Sequence, residues 1–372
     1  MIIFSLQMTK LPKTALSILI FFSLIITTRT ISTHDEERIL KHTDTSLDTP
    51  LKNIKPDITV SQHGDGTFKT ITEAIQAAPD LSDRSIVIYV KSGRYEEEDL
   101  QVGTKKTNIW LIGDGINKTV ITGGKSVGGA GNLTTFQTAS FTVKGYGFVA
   151  RDLTFDNWAG PAKYQAVALL VSANRVVVYR CSITGYQDSL YAHKGTQFFR
   201  ECDIYGTIDF ICGDGTAVFQ KCRIYARRPL EGQFNVITAH NRDSKKSTTG
   251  FSIHQSWILA APDLDPVKNT VKTYLGRPWD LYSRVVFMLC HMGDHTDPSG
   301  WSPWEQNDTR AFDTLYYGEY LNDGPGRAGN KRVNWTGFHN MTSQEAEGFT
   351  VNQFINGSIW LPSTGVPYTG GL

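Results

Sequence analysis

Read only for apolar and polar positions, the middle of the chain repeats itself. The runs Phe148-Val149-Ala150-Arg151-Asp152-Leu153-Thr154-Phe155, Val177-Val178-Tyr179-Arg180-Cys181-Ser182-Ile183, Phe198-Phe199-Arg200-Glu201-Cys202-Asp203-Ile204 and Val218-Phe219-Gln220-Lys221-Cys222-Arg223-Ile224 follow one another. In the last three, apolar and cysteine positions keep the same relative order. Gln165 and Gln187 are 22 residues apart, Asp188 and Asp209 are 21, Cys181 and Cys202 are 21, and Cys202 and Cys222 are 20. Short β-branched and aromatic runs at that period predict an all-β solenoid whose successive coils stack.

The flanks fit one such domain. Ile58-Thr59-Val60 starts it, and Gly64-Asp65-Gly66-Thr67 reads as a turn, since neither a following Lys-Ser/Thr nor a βαβ unit supports a phosphate loop. Apolar residues at Ile71, Ala74, Ile75 and Ala78 predict a short helix ending at Pro79 and plugging one end of the solenoid. Strands follow at 86–90, 109–113 and 120–123, each closed by turn residues. Past Arg228 the pattern loosens into long loops, Leu275-Gly276-Arg277-Pro278-Trp279 interrupts it, and Trp301, Trp304 and Trp335 cluster. From about Met341 a tail is expected to pack along the outside of the coils.

Stacked coils bring residues one period apart to neighbouring strands, roughly 4.7–4.9 Å from each other. That sets Asp188 beside Asp209 and Gln165 beside Gln187. Two acids sharing a site have their pKa values driven apart, so one can hold a proton while the other is ionised. Stacked amides can receive an oxyanion. The arrangement points to acid/base or nucleophilic chemistry on a carbonyl. The same stacking makes a column of Cys181, Cys202 and Cys222, with a spacing within the Cα range a disulfide needs. A Cys181–Cys202 bridge is expected, against the alternative of a ladder of buried free thiols.

Composition adds compartment rather than chemistry. The formal charge of +1 advertises neither nucleic acid nor an acidic membrane surface as a partner. Lys10 and Lys13 precede an apolar run from Ala15 to about Ile26, too short to span a bilayer comfortably, so residues 1–29 read as a signal peptide. Residues 30–57 form a polar leader and 58–372 the domain itself. A secreted chain free of the membrane once mature is expected. Glycosylation candidates are Asn117, Asn132, Asn307, Asn334, Asn340 and Asn356. Five cysteines leave at least one without an intrachain partner. His291, Asp294, His295 and Asp297 lack distinctive ligand spacing and read as a polar loop, so no metal site is expected.

The blocks Gln165-Ala166-Val167-Ala168-Leu169, Gly185-Tyr186-Gln187-Asp188-Ser189-Leu190-Tyr191, Gly206-Thr207-Ile208-Asp209-Phe210-Ile211 and Leu275-Gly276-Arg277-Pro278-Trp279 resemble the signature blocks of plant pectin methylesterases. Thr135-Phe136-Gln137-Thr138-Ala139-Ser140 and Ala159-Gly160-Pro161 extend the match, which covers about 300 residues in order. The resemblance implies a right-handed parallel β-helix that hydrolyses the C6 methyl esters of galacturonate units in pectin, without metal or organic cofactor. It implies Asp209 as nucleophile, Asp188 as general acid/base, Gln165 and Gln187 as oxyanion donors, and Arg277 as the nucleophile's partner, lowering the pKa of Asp209. Contacts to pectin are implied for Trp279, Gln165, Arg277, Phe210 and Thr135. A monomer acting in the cell wall and open to a proteinaceous pectinesterase inhibitor belongs to the same picture. The leader is too short for the helical inhibitor-like domain that precedes the enzyme in many plant relatives.

The chain departs from that family at several positions. Cys212 stands where plant relatives typically carry Phe, Ser256 where a cysteine partner of Cys222 is usual, His240 in place of a glutamine, and Asn174 in place of an aspartate. These leave stability and substrate preference open. Two rival readings are a polygalacturonase or pectate lyase on the same architecture, and a catalytically silent pectin-binding wall protein. A lyase would want a calcium-binding carboxylate cluster and a basic proton abstractor, whereas here the paired acids come with two amides.

Overall fold

A computed structural model describes residues 55–327 and 329–372. The expected signal peptide and nearly all of the polar leader lie outside the described residues. Each coil of the chain consists of three short strands: Val176–Tyr179, Ser182–Thr184 and Leu190–Lys194 make one turn, and Thr196–Arg200 begins the next directly beside Val176–Tyr179. Repetition builds three parallel sheets of eleven, eight and seven strands, the right-handed parallel β-helix expected from the period. The register is strict, with Val177 opposite Phe198 and Phe198 opposite Val218 in the first sheet, and Ile183 opposite Ile204 and Ile204 opposite Ile224 in the second.

The corner between these two sheets explains why the period is so legible. Asp152, Arg180, Glu201, Lys221, Gln255 and Leu289 each adopt a left-handed conformation there, with φ between 50° and 56°. Such a turn costs an L-residue roughly 1–2 kcal/mol. It is held by the ladders on both sides, for example Arg180 N–H donating to Arg200 O at 3.0 Å and Glu201 N–H to Gln220 O at 3.1 Å. Inside the bend, Cys181, Cys202, Cys222, Ser256 and Cys290 stack one per coil, all buried.

The expected Cys181–Cys202 disulfide is not formed, and all five cysteines are free thiols. Strand separation permits a bridge, but the thiols of the column turn instead toward backbone carbonyls of their own or the adjoining coil. Cys202 Sγ donates to Val178 O at 3.2 Å, Cys181 Sγ to Tyr179 O at 3.4 Å and Cys290 Sγ to Ile253 O at 3.3 Å. Ser256 continues the column in the same manner, donating to His254 O at 3.0 Å and accepting from Cys222 N–H.

The interior is a continuous apolar column that includes Phe141, Phe155, Ile183, Ile204, Phe219 and Ile224. Phe199 and Phe219 stack with centroids 4.7 Å apart. Helix Ile71–Ala77 caps one end: Thr70 and Glu73 form a reciprocal capping box, and Ile71, Ala74 and Ile75 face the core. The outer face of the eleven-stranded sheet is also apolar, at Val149, Val177, Phe198 and Val218. The C-terminal tail covers it with Val351, Ile355, Trp360, Leu361 and Val366. Burial on both faces is what a parallel sheet requires.

All six glycosylation candidates are exposed. Among the described residues no helix is long and apolar enough to cross a membrane, and no group of side chains could hold a metal ion. In the loop weighed as a metal site, His291 pairs instead with Asp323 at 2.7 Å, and burial pushes His295 down to about 4.

Candidate active site

The outward side of the seven-stranded sheet carries the stacked acids. Leu190 lies opposite Ile211, so Asp188 and Asp209, each two residues upstream, occupy equivalent places on successive coils. Both are left-handed, at φ 59° and 53°. Ladder hydrogen bonds hold them there: Asp188 N–H donates to Ile208 O at 3.1 Å and Leu190 N–H to Phe210 O at 2.9 Å. Gln165 and Gln187 form a parallel bridge one coil earlier. Gly213 lets the strand after Asp209 pass tightly beneath its neighbour, since a Cβ there would stand 2.2 Å from Ala192 O.

Arg277 reaches the same spot from strand Thr273–Pro278. Its Nε donates to Asp209 Oδ1 at 2.8 Å and its Nη2 to Asp209 Oδ2 at 2.5 Å, a two-pronged ion pair. Nη1 donates to Trp304 O at 3.1 Å, and the guanidinium lies 4.3 Å from the centre of the Trp304 ring. Trp304 in turn stacks nearly parallel to Trp279, with centroids 6.4 Å apart. The Asp188 carboxyl has no hydrogen-bond or ion-pair partner among the described residues, though the residue is only 8% exposed.

The two acids therefore titrate differently. Burial, and then the charge of Asp209, push the Asp188 carboxyl well above the usual carboxylate range. Burial also pushes Asp209 up, but Arg277 opposes it by charge and by hydrogen bonding. Arg277 acts on Asp209 in the expected direction, downward, while burial is the larger effect and leaves the carboxyl raised. Of the two, Asp188 lacks an opposing hydrogen bond and Asp209 has one.

Thr135, Gln165, Gln187, Asp188, Asp209, Arg277 and Trp279 line one open cavity of about 180 Å³. Neither glutamine amide has a partner among the described residues, so their N–H groups are free to donate into it. Phe210 does not belong there. Its ring is fully buried in the solenoid core, because the left-handed turn at Asp209 sends the next side chain inward. The cavity also takes in Trp304, Cys212 and Ala239, which the sequence reading did not assign to the site. Of the three tryptophans clustered in the sequence, Trp304 alone lines this cavity. Trp301 is in fact in the core against Tyr317, and Trp335 stacks on Phe312. The signal for Cys212 was present as a departure three residues after Asp209.

The other departures are structural. His240 is buried inside the sheet, accepts from Arg284 N–H at 3.3 Å, and is pushed down to about 3 by burial. Asn174 Oδ1 accepts from Thr196 N–H at 3.0 Å. A second carboxyl beside a fork-held carboxylate, with two free amides and an aromatic wall, suits nucleophilic attack on an ester carbonyl.

The family model described as pectinesterase matches residues 57–358. A probable pectinesterase/pectinesterase inhibitor of Arabidopsis thaliana, number 61, is 59% identical over 327 residues, which cover 88% of this chain and 55% of that protein. The chain thus spans about half the length of the curated relatives it matches. Among solved structures, a pectin methylesterase from carrot is similar at 47% identity and a TM-score of 0.83, covering 86% of this chain and 99% of its own. A deglycosylated pectin methylesterase from Aspergillus niger is similar at 29% identity and a TM-score of 0.70, covering 83% and 97%. With most of its length matched by the family model and nearly all of two solved members covered, the chain belongs to the pectinesterase family.

Proposed function

We propose that this chain is a pectin methylesterase, cleaving methyl esters of galacturonate units in pectin to free carboxylate and methanol. The observation that carries the reading is the asymmetry of the stacked acids: only Asp209 is clasped by Arg277, while the Asp188 carboxyl is buried without a partner. In the first step an oxygen of Asp209 attacks the ester carbonyl carbon, and the oxyanion is received by the amides of Gln165 and Gln187. Asp188 gives its proton to the departing methoxide, and the C–O bond to methanol breaks. The resulting acyl-enzyme is hydrolysed by water, which yields a proton to Asp188 as it attacks. Asp209 leaves as carboxylate and the pair returns to its starting state. No cofactor enters this cycle.

Trp279 and Trp304 offer parallel aromatic faces to pyranose rings, and Thr135 lines the same cavity. Secretion to the cell wall, glycosylation, a monomeric state and control by an inhibitor protein belong to the same reading. Methanol release from highly methylated pectin tests it, using the wild type and Asp209→Asn matched in circular dichroism. Release that falls to background in the variant supports the reading. A folded wild type that binds pectin yet releases no methanol across a broad pH range would overturn it in favour of a silent wall-binding protein.

A further inference from the structure

Gln165 enters the cavity with an unpartnered amide, so its place there depends on how the backbone around it is held. That backbone is tied on several sides. Gln165 O accepts from Val127 N–H at 2.9 Å, Ala166 N–H donates to Gln187 O at 3.1 Å, and Val167 N–H donates to Thr138 Oγ1 at 3.1 Å. Residues 165–167 are thus fixed by the next coil, by the segment around Val127, and by the short 3-10 helix Thr135–Thr138.

A side chain outside the cavity joins these segments. Asn157 ends strand Thr154–Asn157 of the eight-stranded sheet and is only 2% exposed. Its Nδ2 donates toward Lys125 O at 3.0 Å, Thr138 O at 3.3 Å and Val167 O at 3.1 Å, and its Oδ1 accepts from Ala159 N–H at 3.0 Å. Lys125 lies two residues before Val127, and Val167 two residues after Gln165. One buried amide therefore bridges the supports on both sides of Gln165. Thr138 assists it: the hydroxyl that accepts from Val167 also donates to Thr135 O at 2.7 Å, and Thr135 lines the same cavity. Val167 O keeps a bond from Ser140 N–H at 3.0 Å without Asn157, so losing the amide loosens this junction rather than unpairing it altogether.

We infer that Asn157 is a positioning residue for the ester hydrolysis, holding the Gln165 amide where the oxyanion forms. The inference rests on the esterase reading above and adds a support to the same site. Asn157 itself touches no reacting atom. A misplacement of about 1 Å caused by a change away from the chemistry can cost about a hundredfold in rate. Because an oxyanion donor acts in the transition state, that cost falls on kcat and spares KM.

The test is a double-mutant cycle read by steady-state kinetics on methylated pectin. Asn157→Ala should lower kcat by about ten- to a hundredfold with little change in KM. In a Gln165→Ala background the same substitution should change kcat by no more than about twofold, because the group it positions is gone. Asn322→Ala is the control for plain loss of stability: Asn322 is also buried, its Nδ2 donating to Phe287 O at 3.0 Å and its Oδ1 accepting from Cys290 N–H at 2.9 Å. It should lower the melting temperature as Asn157→Ala does and leave kcat unchanged. If Asn157→Ala fails to fold, Thr138→Val, which removes the hydroxyl between Val167 and Thr135, should show the same loss and the same dependence on Gln165, while Thr138→Ser, which keeps it, should hold kcat near wild type. A loss that multiplies undiminished in the Gln165→Ala background, a kcat unmoved by Asn157→Ala or Thr138→Val, or an equal loss in Asn322→Ala overturns the inference and leaves the esterase reading standing. A wild type that releases no methanol overturns both.

Discussion

Two buried aspartates in this molecule look nearly alike and do different things. Asp152 and Asp209 are both left-handed, at φ 56° and 53°, and each is clasped by the Nε and Nη2 of an arginine from a later coil. Asp152 receives in addition the Nε of Arg151 at 2.9 Å, at the corner of the eleven-stranded sheet. Asp209 shares its place instead with a second, unpartnered acid and opens onto a cavity with two free amides. A two-pronged arginine clasp is therefore a scaffold device in one place and part of the proposed reactive centre in the other. What separates them is the neighbour: a second arginine beside Asp152, a second carboxyl beside Asp209.

Substitution should separate the two most sharply. Asp209→Asn is expected to cut kcat on methylated pectin by at least about ten-thousandfold, and Asp188→Asn by about a hundred- to ten-thousandfold. Asp152→Asn should leave kcat/KM unchanged while lowering unfolding free energy by about 2 kcal/mol, read in urea titration. An Asp152 variant that is stable but inactive would erase the distinction. Next in size, Gln187→Ala should lower kcat by about a hundred- to a thousandfold through loss of an oxyanion donor, with steady-state kinetics showing little change in KM.

The pH profile sharpens the comparison further. The proposed mechanism requires Asp209 ionised and Asp188 protonated, so activity should fall on the acid side as Asp209 takes up a proton and on the alkaline side as Asp188 loses one. Both limbs should lie above the range of ordinary carboxylates, because burial raises both groups. Arg277 opposes that rise at Asp209, so Arg277→Lys, which breaks the fork, should move the acid limb to higher pH. An acid limb that stays in place would remove Arg277 from this role.

Stability carries the same signature with the opposite consequence. An acid whose folded pKa is raised costs no stability below its unfolded pKa, and costs progressively more as pH rises toward the folded value. Asp188→Asn, which cannot ionise, should therefore match the wild type near pH 3 and unfold at a higher temperature than it at neutral pH. Thermal melts across that range check the sign. The smallest effect concerns the cysteines: with five buried free thiols, a reductant should not shift the melting temperature, and thiol reagents should label the chain only after unfolding.

How much of this was readable from residues alone follows from geometry. In a parallel solenoid, one period of sequence is one strand of separation, so the stacking of Asp188 on Asp209 and of Gln165 on Gln187 could be deduced from spacing. So could the capping helix, since Ile71, Ala74 and Ile75 share one face. Three things were hidden, each for a local reason. The direction of Phe210 depended on the left-handed turn at Asp209, which breaks the simple alternation of faces. The state of Cys181 and Cys202 depended on thiol orientation rather than on column spacing. Trp304 reaches the site from a long loop without a period, where no spacing rule applies.

The most direct test of the account is to locate the proton shared by the paired acids. Infrared difference spectroscopy at neutral pH can detect the carbonyl stretch of a protonated carboxyl group. The account expects that band in the wild type, its persistence in Asp209→Asn, and its loss in Asp188→Asn. A band that vanishes with Asp209 and survives loss of Asp188 would reverse the roles of the two acids and contradict the mechanism.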